Sequence, residues 1–496
     1  MLQHTMADQL RLNAESFPDR PAVEPAGPPS EDSLTYAQAF ERTLRLATAI
    51  RRHADGSPVA IIERNGPDAV LAFFACQLAG VPALPVNSLL AAPEIDYILD
   101  DSSAGILLHG AEFTGVLGTL SPERRPETIC SADVTGDADP WESFTPSDPS
   151  EPFIIGYTSG TTGFPKGAVY DGQGMYVQYL RWAHQFGLTS DATVLTCGPM
   201  FHNSYGGLSI LALLAGATNR FMAPFDAGTA CDELAERCTW AFLVPSMLTQ
   251  IMDEWRGRGR PPLAAARFVL SSGSAVDPAL LDEAFDAFPD AVIGEAYGWS
   301  EGGWVTYEAK TRGAVVPQCV GRPMLGADVA LFAPDGSPCP AGETGEIGVR
   351  NVTPFLGYVN PASPLESSAD GRHLLSGDMG RFTDDGRLLV VDRKKDIIVT
   401  GGENVASGEV ERVLADHPAV GETAVVGRPD PRWGEAITAV VARRPGQEVA
   451  EDELRAYCRA RLAAYKVPKR FEFVAELPRN SMGKVQKFLL RASEAS

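Results

Sequence analysis

For nearly four hundred residues, short apolar runs alternate with segments whose apolar positions recur at helical spacing. Ile61 with Ile62, Ile106 to Leu108, Phe153 to Ile155, Phe268 to Leu270, and Val292 with Ile293 read as strands, each followed by loop or helix signals. That rhythm predicts an α/β architecture with substantial parallel sheet. Thr35 and Gln38 have capping-box spacing ahead of Phe40, Leu44 and Ala47, which share one helical face. Asp68 to Leu78 reads as an amphipathic helix. The wider apolar stretch from Ala69 to Val86 is interrupted by Gln77, Gly80, Pro82 and Pro85, which suits a helix running into a buried strand better than a membrane span.

Between about Ser121 and Pro152 the chain is rich in Pro, Ser, Asp and Glu and reads as an exposed connection. Two hairpin signals, Asp335-Gly336 and Asp385-Gly386, fall between β-rich runs over 320–392. The charged break Asp392-Arg393-Lys394-Lys395-Asp396 then precedes a compact C-terminal stretch. At 496 residues the chain exceeds what one hydrophobic core ordinarily supports. We therefore expect a large domain over 1–392, with mixed, largely parallel sheets, helices and a β-rich subdomain, and a small domain over 393–496.

Composition narrows the function by exclusion. A formal net charge of −22 repels nucleic acid and anionic membranes at long range, while a local basic patch can still take a nucleotide. Eight cysteines occur without a CxxC pair, which suggests neither a zinc site nor a disulfide framework but buried or idle thiols in a reducing cytosol. The first twenty residues lack an apolar segment after a basic start, so no secretion signal is read and a cytoplasmic location is expected.

Candidate chemistry centres on Tyr157-Thr158-Ser159-Gly160-Thr161-Thr162-Gly163-Phe164-Pro165-Lys166-Gly167, directly after Phe153 to Ile155. Glycines let the backbone turn tightly and offer N–H groups, hydroxyls add donors and Lys166 adds a cation, so the segment can hold a polyphosphate. It is not a Walker A loop, because Pro165 stands where that motif needs Gly and Gly167 replaces its Ser or Thr. A generic Gly/Ser stretch would read as a surface turn, but these eleven residues in this order favour phosphate binding.

The segment closely resembles the signature loop of the adenylate-forming superfamily, which includes acyl-CoA and aryl-CoA synthetases, peptide-synthetase adenylation domains and firefly-type luciferases. The resemblance covers nearly the whole chain. It implies ATP, Mg2+ and coenzyme A as cofactor and co-substrates, with a small, mobile α+β C-terminal domain. It assigns Thr158, Ser159, Gly160, Thr161, Thr162, Gly163 and Lys166 to the β- and γ-phosphates. Tyr297-Gly298-Trp299-Ser300-Glu301, expected on a loop at a strand's C-terminal end, is similar to the family's Tyr-Gly-x-Thr-Glu. Tyr297 would then flank adenine, with Ala296 and Gly298 also binding AMP, Ser300 would replace a phosphate-contacting Thr with catalytic importance, and Glu301 would bind magnesium.

Ser376-Gly377-Asp378-Met379-Gly380 is an ordinary turn in isolation but resembles the family's Thr-Gly-Asp-x-Gly, whose Asp accepts from both ribose hydroxyls. Arg393 then matches a ribose-contacting Arg and Lys395 the hinge, although a charged run alone is usually a solvated surface. Asn480-Ser481-Met482-Gly483-Lys484 resembles the loop of the family's catalytic Lys. The Lys484 ammonium would bridge the attacking carboxylate and the ribose-side oxygen as a mixed anhydride forms. Gly401-Gly402-Glu403-Asn404 matches the loop that swings in for the thiol step. Ser272-Gly273-Ser274-Ala275 resembles an AMP-side Gly-Gly-Ala-Pro loop with two departures. Gly427-Arg428-Pro429-Asp430, Trp433-Gly434-Glu435 and Tyr465-Lys466-Val467-Pro468 look like acyl-CoA synthetases.

His202, in Pro199-Met200-Phe201-His202-Asn203, either orients the acid or is a structural histidine; the resemblance places it with Asn203, Gly206, Gly298 and Gly302 in the acyl pocket. Amino-acid-specific relatives put an Asp here and small-acid enzymes a bulky aromatic at Gly298, so an uncharged ring or medium-chain acid is expected. Gly206, Gly207, Gly302 and Gly303 would leave it room. The implied reaction is ATP-dependent formation of an acyl-adenylate with pyrophosphate release, then transfer to coenzyme A, by a monomer or homodimer. Alternatives are loading of an acyl carrier protein's phosphopantetheine, a luciferase-like oxygenase, or a binder without turnover. Retention of both Lys166 and Lys484 argues against the last.

Overall fold

A computed structural model describes residues 4–28, 32–121, 126–144, 148–158, 165–352, 355–361, 366–400, 403–430, 432–479 and 484–492. The chain has the α/β arrangement of a large N-terminal and a smaller C-terminal part. It divides into two compact units, residues 1–317 with 321–328 and 350–365, and residues 318–320 with 329–349 and 366–496. Residues 329–349 and 366–392 thus cluster with the C-terminal stretch, whereas the boundary read from the charged run lies at 392/393.

The first unit contains a seven-stranded sheet. Its core strands Pro152–Thr158, Ala83–Pro85, Val59–Ile62, Ile106–His109 and Glu127–Cys130 run parallel, and Lys166–Asp171 and Phe355–Tyr358 add antiparallel at one edge. A second run places Thr218–Phe221, Thr193–Thr196, Trp240–Phe242, Phe268–Ser271 and Val292–Trp299 in parallel, followed by antiparallel Gly303–Ala309. The capping box forms as read: Thr35 and Gln38 satisfy each other's backbone N–H groups at the start of helix Tyr36–Arg51.

Three expectations need correction. Helix Pro67–Ala79 is not amphipathic in its setting. Ala69 through Leu78 are all buried, because helices Met6–Ser16, Tyr36–Arg51 and Asn203–Leu214 pack around it as well as strands. The connection after Ser121 is not wholly loop, since Glu127–Cys130 pairs in parallel with Ile106–His109. Tyr297 to Trp299 belong to the strand itself, which turns back immediately through Ser300 to Gly302 into Gly303–Ala309. Buried Lys310 clamps that hairpin, its ammonium 2.7 Å from Glu295 and 2.8 Å from Glu308.

In the second unit, residues 345–349 of strand Gly345–Asn351 form an antiparallel run with Leu374–Phe382 and Leu388–Arg393, the last two joined by the Asp385-Gly386 turn. A five-stranded sheet of Glu403–Ala406, Ile397–Thr400, Gly434–Arg443, Val420–Asp430 and Arg470–Val474 packs against helices Ser407–Ala415 and Glu451–Arg459. Ile398, Val410, Leu414, Val425, Ile437, Leu454 and Phe471 fill its core. Ser376 to Gly380 is a bulged strand rather than a free turn. Gly377 adopts φ +73°, a left-handed conformation that favours glycine, where the register to Gly345–Asn351 shifts.

Candidate active site

In the first unit, antiparallel pairing sets Thr158 opposite Lys166, the two described ends of the predicted phosphate segment. Ser159, Gly160, Thr161, Thr162 and Gly163 lie outside the described residues. Lys166 holds its ammonium 5.1 Å from the ring centroid of Tyr358, a cation–π arrangement. The Tyr358 hydroxyl donates to Glu301 Oε1 at 2.7 Å. Beside it, the Tyr170 hydroxyl donates to the Ser300 carbonyl at 3.0 Å, and Asn203 Nδ2 reaches that hydroxyl at 3.4 Å. Burial, then the Glu301 charge, pushes the Tyr170 phenol well above its ordinary pKa, so it stays a neutral donor. Lys166, Glu301, Ser300 and Asn203 therefore converge through two tyrosines.

The remaining predicted residues of this unit divide by role. His202 caps helix Asn203–Leu214, its Nδ1 accepting from the Ser204 N–H at 3.4 Å. Ser272 is buried and accepts from Trp304 Nε1 at 3.1 Å, whereas Gly273 and Ser274 are exposed. Ala296 is buried and the half-buried Tyr297 ring lies 6.1 Å from that of Trp299. The pocket glycines have packing reasons of their own. A Cβ on Gly206 would stand 2.4 Å from the Met200 carbonyl oxygen, one on Gly298 1.9 Å from that of Gly303, and one on Gly302 2.6 Å from the Trp299 ring. Asn351 Nδ2 secures the Gly302 carbonyl at 2.9 Å.

In the second unit, buried Asp378 meets Arg393 Nε at 2.7 Å, directly across the strand pair that sets these two residues opposite each other. Lys484 stands close enough to feel both charges. Crowding by protein atoms and the Arg393 charge push its ammonium below the ordinary lysine pKa, and Asp378 opposes them. The residue nonetheless keeps solvent contact. Glu346 braces the neighbouring bulge, accepting from the Gly377 N–H at 3.1 Å and from Lys394 Nζ at 2.8 Å. Burial likewise lowers the pKa of Lys395, the predicted hinge residue. Gly401 and Gly402 lie outside the described residues.

Sequence reasoning passed over Tyr358, Tyr170, Asn351 and Glu346. Strand and glycine patterns around them gave no chemical signal; only the pairing of Phe355–Tyr358 with Lys166–Asp171 brings the tyrosines to Glu301.

The family described as AMP-binding enzyme matches residues 10–359, and its C-terminal domain matches 409–484. The chain belongs to the AMP-binding enzyme family. It is 36% identical over 461 residues to a feruloyl-CoA synthase of Amycolatopsis sp, covering 92% of this chain and 93% of that protein. It is 32% identical over 517 residues to the fatty acid–[acyl-carrier-protein] ligase ScoC of Streptomyces coeruleorubidus, covering 98% and 96%. Its fold matches o-succinylbenzoate coenzyme A synthetase MenE of Bacillus subtilis, in complex with ATP and magnesium, at 28% identity and TM-score 0.85 over 96% of this chain and 98% of that one. No helix among the described residues is long and apolar enough to cross a membrane.

Glu301 suits a magnesium ion like the one that accompanies ATP in the MenE complex. Among the described residues there is no cluster of three metal-binding side chains. A single carboxylate, oriented by Tyr358, matches an ion that takes most of its oxygens from water and substrate phosphates.

Proposed function

We propose that the protein is an AMP-forming acid–thiol ligase that joins an uncharged carboxylic acid to the α-phosphorus of ATP, releases pyrophosphate, and then transfers the acyl group to coenzyme A with release of AMP. The observation that carries this reading is the grouping of Lys484 with Asp378 and Arg393. Asp378 offers one carboxylate to a cis-diol, and Arg393 orients it. A ribose held there brings its 5′ side to Lys484, whose ammonium neutralises charge as the carboxylate oxygen bonds to phosphorus. Lys166 and residues 158–163 hold the departing pyrophosphate, so catalysis is positioning and charge stabilisation. Magnesium on Glu301 supplies further positive charge to the phosphates. His202 and Asn203 face the acid, Tyr297 flanks adenine, and Gly401 and Gly402 give the thiol passage. Lys395 serves as the hinge between 1–392 and 393–496.

The test is acid-dependent formation of AMP and thioester, with and without coenzyme A. Lys484→Ala is expected to slow adenylation by about a hundredfold or more. Wild-type adenylation that survives this substitution intact refutes the assignment. The similarity to ScoC favours a second acceptor, and pyrophosphate release that yields thioester only on a carrier protein would select it.

A further inference from the structure

The buried polar groups without a hydrogen-bond partner among the described residues of the first unit include the Tyr179 hydroxyl and the Trp182 indole N–H. Tyr179 is 0% exposed and Trp182 4%. Buried donors are nearly always paired, because an unmade hydrogen bond keeps the full desolvation cost. Neighbouring rings obey that rule: Trp304 Nε1 donates to Ser272, and Trp240 Nε1 donates to the Phe186 carbonyl. Tyr179 and Trp182 are three residues apart on helix Gly172–Phe186, so their side chains share one face.

That face abuts the elements already assigned to the acid. A Cβ on Gly207, in the helix capped by His202, would lie 3.2 Å from both the Tyr179 and Trp182 rings. Trp182 and Trp304 have ring centroids 4.4 Å apart, and Trp304 is bonded to Ser272. Phe242 packs on Trp304 at 5.5 Å. The surroundings are therefore aromatic, with two donors that find nothing to donate to.

Resting on the ligase reading above, we propose that Tyr179 and Trp182 form the distal specificity site for the acid, and that the preferred substrate is an aromatic carboxylic acid carrying a hydrogen-bond-accepting oxygen at the end of its ring away from the carboxyl. An indole N–H only donates, so the ligand group must accept. Rings of Trp182, Trp304 and Phe242 stack with a planar acid better than with a flexible chain. Entry of the acid separates the two indoles, and the oxygen then takes the two donors.

The experiment compares kcat/KM for acid-dependent AMP formation with 3-phenylpropenoic acid, its 4-hydroxy counterpart and a medium-chain aliphatic acid. Wild type is expected to favour the oxygenated acid over the unsubstituted one by about tenfold or more. Tyr179→Phe and Trp182→Phe should each lower that ratio about fivefold, the loss of one neutral hydrogen bond. A purely structural role, or donors that serve a buried water, would slow all acids alike and leave the ratio intact, which overturns the proposal. So does a wild-type preference for the aliphatic or unsubstituted acid, a result that needs no variant to fold. Absence of AMP formation with every acid would instead sink the ligase reading itself.

Discussion

Tyr358→Phe isolates the contact that aims Glu301. It removes one hydroxyl that donates to Glu301 Oε1 at 2.7 Å and retains the ring beneath Lys166. A hydrogen bond to a charged group contributes about 1.5–3 kcal/mol, and loss of a partner that orients a metal-binding carboxylate lowers metal affinity about 10- to 100-fold. The contact is only partly buried, so the low end applies. We expect the free magnesium concentration for half-maximal ATP–pyrophosphate exchange to rise about tenfold, equivalent to about 1.4 kcal/mol. Saturating magnesium should restore the rate in Tyr358→Phe but not in Glu301→Gln. Calorimetric binding of ATP across the same magnesium range separates affinity from turnover. A midpoint within twofold of wild type, in a variant with unchanged thermal stability, would refute the argument that Tyr358 orients the carboxylate.

Lys310→Met should destabilise the chain by about 3 kcal/mol, because Glu295 and Glu308 lose the buried cation between them; denaturant unfolding measures it, and Lys310→Met with Glu295→Gln should recover part of the loss. Burial pushes the Glu63 carboxyl up to about 7, with Asp68 and Glu112 adding to the rise and Ser131 and Arg42 opposing it. The folded chain thus holds a proton that the unfolded chain releases, and stability falls as pH rises from about 4.5 to about 7. Glu63→Gln removes that fall and should exceed wild type above pH 7 by about 1–2 kcal/mol, allowing for the partial exposure of Glu63; unfolding midpoints at pH 5 and pH 8 test the sign. Of the eight cysteines, Cys130 and Cys339 alone are not buried, so a thiol reagent should modify these two first and the other six only on unfolding.

What the sequence made legible was chemistry carried on one strand or one hairpin. Asp378 and Arg393 lie fifteen positions apart, and the Asp385-Gly386 turn between them sets the register that puts them opposite each other. Pairing and turn signal were both written locally. The run ending at Glu301 was readable for the same reason, since the hairpin from Val292 to Ala309 is one continuous piece of chain. Tyr358 was not, because it reaches Glu301 only through a strand partner almost two hundred residues earlier, Lys166–Asp171. Helix Pro67–Ala79 went astray on the same ground: Asp68 and Gln77 mark its ends as polar, but which sides are covered depends on helices from three distant segments.

Glycines show this limit most sharply. A glycine states that a side chain does not fit, without stating what occupies the space. At Gly298 the occupant is the Gly303 carbonyl, and at Gly206 the Met200 carbonyl, so both positions are fixed by backbone approach before any acid is considered. Room for a ring must then come from side chains that can move, and the indoles of Trp182 and Trp304 are in contact where such movement would open it. Acid selectivity should accordingly respond far more to changes at Tyr179 and Trp182 than its glycine-rich motifs suggest. Gly206→Ala, by contrast, should reduce folding yield without altering the ranking of acids.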